Sequence, residues 1–161
     1  CLQAIQESFD TRSRRPPRNE VNAALSFTYM LLTSQMQSAM ETVGIDPAAG
    51  YLHTLRPGRA SFALDLIEEL RAPLCDRFVL SLFNKGQLSS SDFEQDEEAV
   101  FLNDRGRRTL LSAWEKRKQE QIIHPFLKEK IPIGLIPYVQ AMLFARVLRG
   151  DLDDYPPFVW R

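Results

Sequence analysis

Apolar side chains recur at Val21, Leu25, Leu32, Met36, Ala39, Met40 and Val43, a spacing that an α-helix gathers onto one face. Phe27, Tyr29, Met30 and Leu31 fill its other faces. A long, mostly buried helix is therefore expected from about Asn19 to Val43, central to the fold, ended by Gly44, Asp46 and Pro47. The stretch before it has a different character. In TRSRRPPR (residues 11–18), Pro16 and Pro17 remove two backbone donors and force an extended chain, so this segment reads as a linker. The chain divides accordingly into a truncated lead-in with an Arg/Pro-rich linker over 1–18 and an α-helical domain over 19–161.

The remaining breaks mark further helices. Arg56-Pro57-Gly58-Arg59 dictates a turn after the short apolar run Gly50–Thr54, so the chain doubles back. Ser61 is placed to cap a second helix carrying Leu64, Ile67, Leu70, Leu74, Phe78 and Leu82, kinked or interrupted by Pro73. Residues 85–91 are a loop, followed by the acidic run Asp92, Glu94, Asp96, Glu97 and Glu98. A third helix is expected over Arg105–Ile123 with an apolar face of Leu110, Leu111, Trp114 and Ile122, stopped by Pro125. A fourth starts near Pro137, a favoured first-turn position, carries Val139, Met142, Leu143 and Val147, and closes at Gly150. Only Ala99–Leu102 has any strand character. The expected fold class is all-α.

Composition narrows the function classes. Twenty Lys and Arg against 21 Asp and Glu leave a net charge of −1, so any basic surface must be local, as in the cluster Arg12, Arg14, Arg15 and Arg18. Hydrophobic residues make up 44% of the 161 and charged residues 25%, which excludes a disordered chain; no apolar run reaches the roughly 18 residues that a spanning helix requires. Two cysteines, Cys1 and Cys75, give neither a disulfide framework nor a Cys-x-x-Cys zinc site, so a reducing, cytoplasmic setting is expected. With Cys rather than Met first and no apolar leader, the start reads as a cut into a longer protein.

Chemistry concentrates around the Pro-Gly turn. Asp65 and Glu68 are three residues apart, which sets their carboxylates on one helix face, where they repel unless a cation lies between them. His53 lies on the other arm of the turn, able to fold its imidazole toward them. One His with two carboxylates suits Mn²⁺ or Mg²⁺ better than structural zinc, and Arg56 and Arg59 could hold a phosphate beside the ion. The plainer reading is a hydrogen-bonding His beside a turn and acids that oppose the helix dipole. Elsewhere, Trp114 and the basic face of the third helix either line a DNA path or are a core residue with a solvated surface. His124, before Pro125, is expected to make a structural hydrogen bond, the four Met to fill core gaps, and Cys75 to be inert.

The string GYLHTLRPGRASFALDLIEELR (50–71) resembles the metal-site region of the CRISPR-associated spacer-acquisition integrase family, the universal Cas adaptation nuclease. RSRRPPRNEVNAALSFTYMLL, from Arg12, resembles the opening of that family's helical domain through Asn22, Ala24, Leu25 and Tyr29. HPFLKEKIPIGLIPYVQAMLFARVLRGDLDDYPPFVW (124–160) resembles the C-terminal end of its subtype I-C branch. The likeness implies a helical catalytic domain that follows an N-terminal β-domain, the latter absent here. It implies His53 and Glu68 as metal ligands for Mg²⁺ or Mn²⁺, with Asp65 supporting or sharing the site, and Arg14, Arg15, Arg56 and Arg59 as DNA-binding residues.

The family's first ligand is a Glu in an Arg-Gly-x-Glu-Gly type motif that these residues lack; Glu7 has no flanking glycines and does not replace it. The implied activity is metal-dependent endonuclease and integrase chemistry, inserting spacers into the CRISPR array by transesterification, with this portion alone inactive. Implied partners are prespacer and repeat DNA, a second copy of the protein, a small second Cas subunit and a Cas4-type nuclease. The rival readings are a non-catalytic helical DNA-binding or assembly module and an unrelated helical scaffold.

Overall fold

The computed structural model describes residues 19–47, 61–97 and 99–159, with 61–65 described by backbone alone. Helix α1, Glu20–Thr42, is the long element expected at this position. It starts where the Asn19 Oδ1 accepts the Asn22 amide at 2.8 Å, and it stops where Gly44 turns to φ +81° and the Ile45 amide reaches back to the Met40 carbonyl. Leu32, Met36 and Met40 are fully buried. α1 is central as expected: helices on both sides pack against it.

The second helix is interrupted, as its proline requires. α2 runs Ser61–Leu70, a π-helical turn covers Arg71–Asp76, and α3 continues over Arg77–Asn84. Pro73 has no N–H to return to the Glu69 carbonyl, so the backbone widens around it rather than stopping. The apolar stripe survives the widening, with Leu70, Leu74, Phe78 and Leu82 all buried. Helix α4, Asp104–Gln119, and α5, Ile136–Leu148, complete the helical set; α5 packs along α1.

Strands correct the all-α expectation: the domain is mostly helical with two small antiparallel hairpins. β1 (Phe93–Asp96) pairs with β2 (Ala99–Leu102), and β3 (Gln121–Ile123) pairs with β4 (Lys130–Pro132). Each strand has only three or four residues, too few for a period-two pattern to stand out in the sequence. α4 consequently ends at Gln119 rather than Ile123, since Glu120 is extended and Ile122 pairs with Ile131 across the ladder.

Two side chains also depart from expectation. Leu111 is exposed on α4, and Met30 is exposed on α1 instead of filling a core gap. Asp92, the first residue of the acidic run, is buried and accepts hydrogen bonds from the Ser89 amide at 2.9 Å and Arg105 Nε at 2.7 Å. Trp114 belongs to the core, 3% exposed and edge-to-face with Phe78 at 5.2 Å. Cys75 is fully buried, and burial pushes its thiol far above the reactive range, in accord with an inert cysteine. No helix among the described residues is long and apolar enough to cross a membrane.

Candidate active-site helix and basic groove

α2 carries two of the three residues expected to form the reaction centre. Leu66, Ile67 and Leu70 turn into the core, which leaves Glu68 on the solvent side with its carboxylate two-thirds exposed. Asp65 lies one helical turn earlier on the same element. His53, Arg14, Arg15, Arg56 and Arg59 lie outside the described residues, as do the His53 loop and its packing. Among the described residues no three His, Cys, Asp or Glu come together as a metal cluster. Glu68 nevertheless has the right donor chemistry, an accessible hard oxygen on a rigid helix.

Arg71, which sequence reasoning passed over, sits in the π-helical turn with Nη1 2.6 Å from Glu68 Oε2. Its guanidinium lies 5.2 Å from the Tyr29 ring centroid, and the Tyr29 hydroxyl donates to Asp76 Oδ1 at 2.5 Å. The Glu68-to-Arg71 spacing of three was visible in the sequence as an ion pair.

Glu69, one position further along α2, points the other way into a polar network that no sequence pattern announces. Its Oε1 accepts from Gln140 Nε2 at 2.8 Å and from the Tyr155 hydroxyl, while Oε2 accepts the Phe158 amide at 3.0 Å. Gln140 is wholly buried on α5, and its Oε1 lies 3.0 Å from His124 Nε2. His124 Nδ1 accepts the amides of Phe126 and Leu127, so Nε2 is the protonated nitrogen and donates to Gln140. This is the structural hydrogen bond expected of His124.

Burial lowers the His124 pKa below its ordinary value, with the Gln140 bond and the Glu69 charge opposing it more weakly. A native value below the unfolded one means that the unfolded chain binds the extra proton. The stability tied to neutral His124 is therefore fully present above about pH 6.5 and is lost as pH falls through the lowered native value. Urea unfolding at a series of pH values should show this loss, and His124→Asn, which keeps an acceptor for the two amides, should flatten it. Equal slopes in both proteins would show that His124 does not carry the effect.

A groove of about 690 Å³ opens between α3 and α4. Lys85, Arg108, Lys116 and Arg117 line it together with the hydroxyl residues Ser81, Thr109 and Ser112, against one acid, Glu120. The basic face of α4 thus flanks a concave surface, while Trp114 is buried in the core and is not among the residues that line it.

The family model for CRISPR associated protein Cas1 matches residues 1–116. The chain is 57% identical over 155 residues to CRISPR-associated endonuclease Cas1 2 of Rhodospirillum rubrum, covering 96% of this chain and 45% of that protein. It is 55% identical to CRISPR-associated endonuclease Cas1 1 of Chlorobaculum tepidum, covering 100% and 48%. A Cas4/Cas1 exonuclease–endonuclease fusion of the same Rhodospirillum is 40% identical over 94% of this chain and 26% of the fusion. The chain thus spans about half the length of the Cas1 relatives it matches.

Among solved structures, a Cas1 protein from Thermotoga maritima superposes with a TM-score of 0.78 at 29% identity, covering 86% of this chain and 43% of that one. A Cas6-RT-Cas1–Cas2 complex gives 0.76 at 25% identity, covering 92% and 16%. With the family model matched over more than two-thirds of its length, this mostly helical chain belongs to the CRISPR-associated Cas1 family.

Proposed function

We propose that this chain is the helical catalytic portion of a spacer-acquisition integrase and endonuclease. The observation that carries the reading is Glu68, held exposed one turn after Asp65 on a helix buried along its other side, in a chain whose relatives are named endonucleases. In the reaction, the 3′-oxygen of a short DNA bonds to a phosphorus of the repeat array as the phosphodiester's existing bond breaks. The attacking hydroxyl loses its proton and the departing 3′-oxygen gains one. His53 and Glu68 would hold the divalent ion, and Asp65 would orient or share its site. When bound, Mg²⁺ or Mn²⁺ supplies Lewis-acid stabilisation of charge on the attacking and leaving oxygens. The Glu of an Arg-Gly-x-Glu-Gly type motif, which these residues lack, would supply the remaining ligand in a longer protein that carries it.

Arg14, Arg15, Arg56 and Arg59 would neutralise DNA phosphates, and Lys85, Arg108 and Lys116 in the basic groove offer further cations. A small second Cas subunit fits the Cas1–Cas2 complex that this fold resembles, and a Cas4-type nuclease fits the fused relative. Homodimerisation and the subtype I-C assignment rest on the sequence resemblance, and a cytoplasmic setting belongs to the same proposal.

The test is joining of a labelled duplex to a repeat-containing plasmid with Mn²⁺. The longer protein should join it, and this chain alone should bind DNA, bind Mn²⁺ weakly and join negligibly. No joining by the longer protein with either ion would refute the reading. A separate expectation concerns affinity: Arg56→Ala should flatten the dependence of log affinity on log salt by about one unit, because one phosphate contact is lost. An unchanged slope would remove Arg56 from the interface.

A further inference from the structure

Glu69 and Tyr155 join three parts of the chain that are remote in sequence. Tyr155 and Phe158 belong to the segment after α5, Gln140 to α5 itself and His124 to the turn of the β3–β4 hairpin. All meet the carboxylate of Glu69 directly or through one intermediary. The segment is anchored on both sides of the network: Phe158 is 3% exposed with its ring 5.6 Å from His124, and Tyr155 packs edge-on to Phe144 at 5.8 Å. Burial and the Glu69 charge together push the Tyr155 hydroxyl well above its ordinary pKa, which keeps it a donor throughout the working range.

Apolar packing alone would hold α2 less specifically. Leu66, Ile67 and Leu70 are aliphatic contacts that tolerate rotation of a helix about its axis, whereas a carboxylate satisfied by donors from different elements has one acceptable orientation. The Pro73 π-helical turn makes such a lock useful, because the backbone just beyond α2 is already widened. Glu68 is the preceding residue on the same helix, about 100° around the axis from Glu69. Fixing Glu69 therefore fixes the direction in which Glu68 leaves the helix.

We propose that Glu69 and Tyr155 are positioning residues: the part-buried Glu69–Tyr155–Gln140–His124 network clamps α2 to the C-terminal segment and so aims the Glu68 carboxylate. The proposal rests on the assignment of Glu68 to the reaction centre. Tyr155→Phe removes one donor while keeping the ring on Phe144. Glu69→Gln keeps the shape but turns one acceptor into an amide that opposes a donor.

The experiment uses the longer protein, with Leu88→Ala as a control; Leu88 is buried in the loop after α3 and has no part in the network. Two readouts are taken: amide hydrogen exchange over residues 66–70 without metal or DNA, and the kcat and KM of strand joining. In Tyr155→Phe and Glu69→Gln, exchange should quicken about tenfold or more and kcat should fall by a similar factor, with KM for DNA unchanged. The control, compared after matching for loss of Tm, should leave the exchange of 66–70 and kcat near wild type. Wild-type exchange and kcat in both network variants, or an equal loss of kcat in the control, would overturn the clamp. Failure of the underlying reading looks different: Glu68→Ala would still join DNA, while the exchange result would stand.

Discussion

Gly106→Ala is expected to destabilise the domain by about 3 kcal/mol, which places it among the costliest single-methyl changes available to this chain. Gly106 is in the first turn of α4, where its amide donates to the Asn103 cap at 3.0 Å. A Cβ there would lie 2.3 Å from the Asp92 carbonyl oxygen and 2.9 Å from Leu102 Cδ2. The nearest atom is backbone, and that backbone is held: the Asp92 carbonyl accepts the Asn103 amide at 3.0 Å, and the Asp92 carboxylate is held by Ser89 and Arg105. Relief therefore requires moving the start of α4 away from the β1–β2 hairpin. The loss of helix entropy that alanine avoids, about 1 kcal/mol in its favour, is too small to offset such a clash. Chemical denaturation of the two proteins measures the difference. A Gly106→Ala protein within 0.5 kcal/mol of wild type, on the scale of ordinary surface substitutions, would show that the hairpin yields freely.

Helices were legible in the sequence because each offered two or more turns of apolar spacing between Pro or Gly breaks. α1 and α5 came within a residue or two of their observed ends, and Pro73 marked the interruption between α2 and α3. The hairpins were not, apart from Ala99–Leu102, because their partners are three or four residues long and β1 is mostly exposed and charged. At the site, Glu68 stood out through its spacing from Asp65, and the structure leaves it accessible. Glu69 did not, although it is the better-held residue. Its partners Gln140, Tyr155 and Phe158 lie 71 to 89 positions away, and no local spacing encodes a contact of that range. Asp92 shows the same blindness: nothing in the acidic run sets its first residue apart until Arg105, 13 residues on, is seen to bond it.

In the longer protein, Glu68→Ala is expected to abolish strand joining while leaving DNA affinity nearly unchanged. Glu68 projects into solvent and its partner is Arg71, so truncation removes a surface ion pair of small worth to the fold. Under the proposed assignment it would also remove one of the few oxygen donors available to a hard divalent cation, and so weaken the binding of that ion. His53→Ala should behave alike. Asp65→Ala should be milder if that carboxylate only orients the site. DNA affinity should persist in all three because the phosphate contacts proposed for the arginines and the basic groove would remain. The decisive measurement is the rate at which the Glu68→Ala protein joins a labelled duplex to a repeat-containing plasmid in Mn²⁺, alongside its affinity for the same DNA. Loss of joining with affinity retained is the predicted result, and joining at the wild-type rate would contradict the assignment of α2 as the catalytic helix.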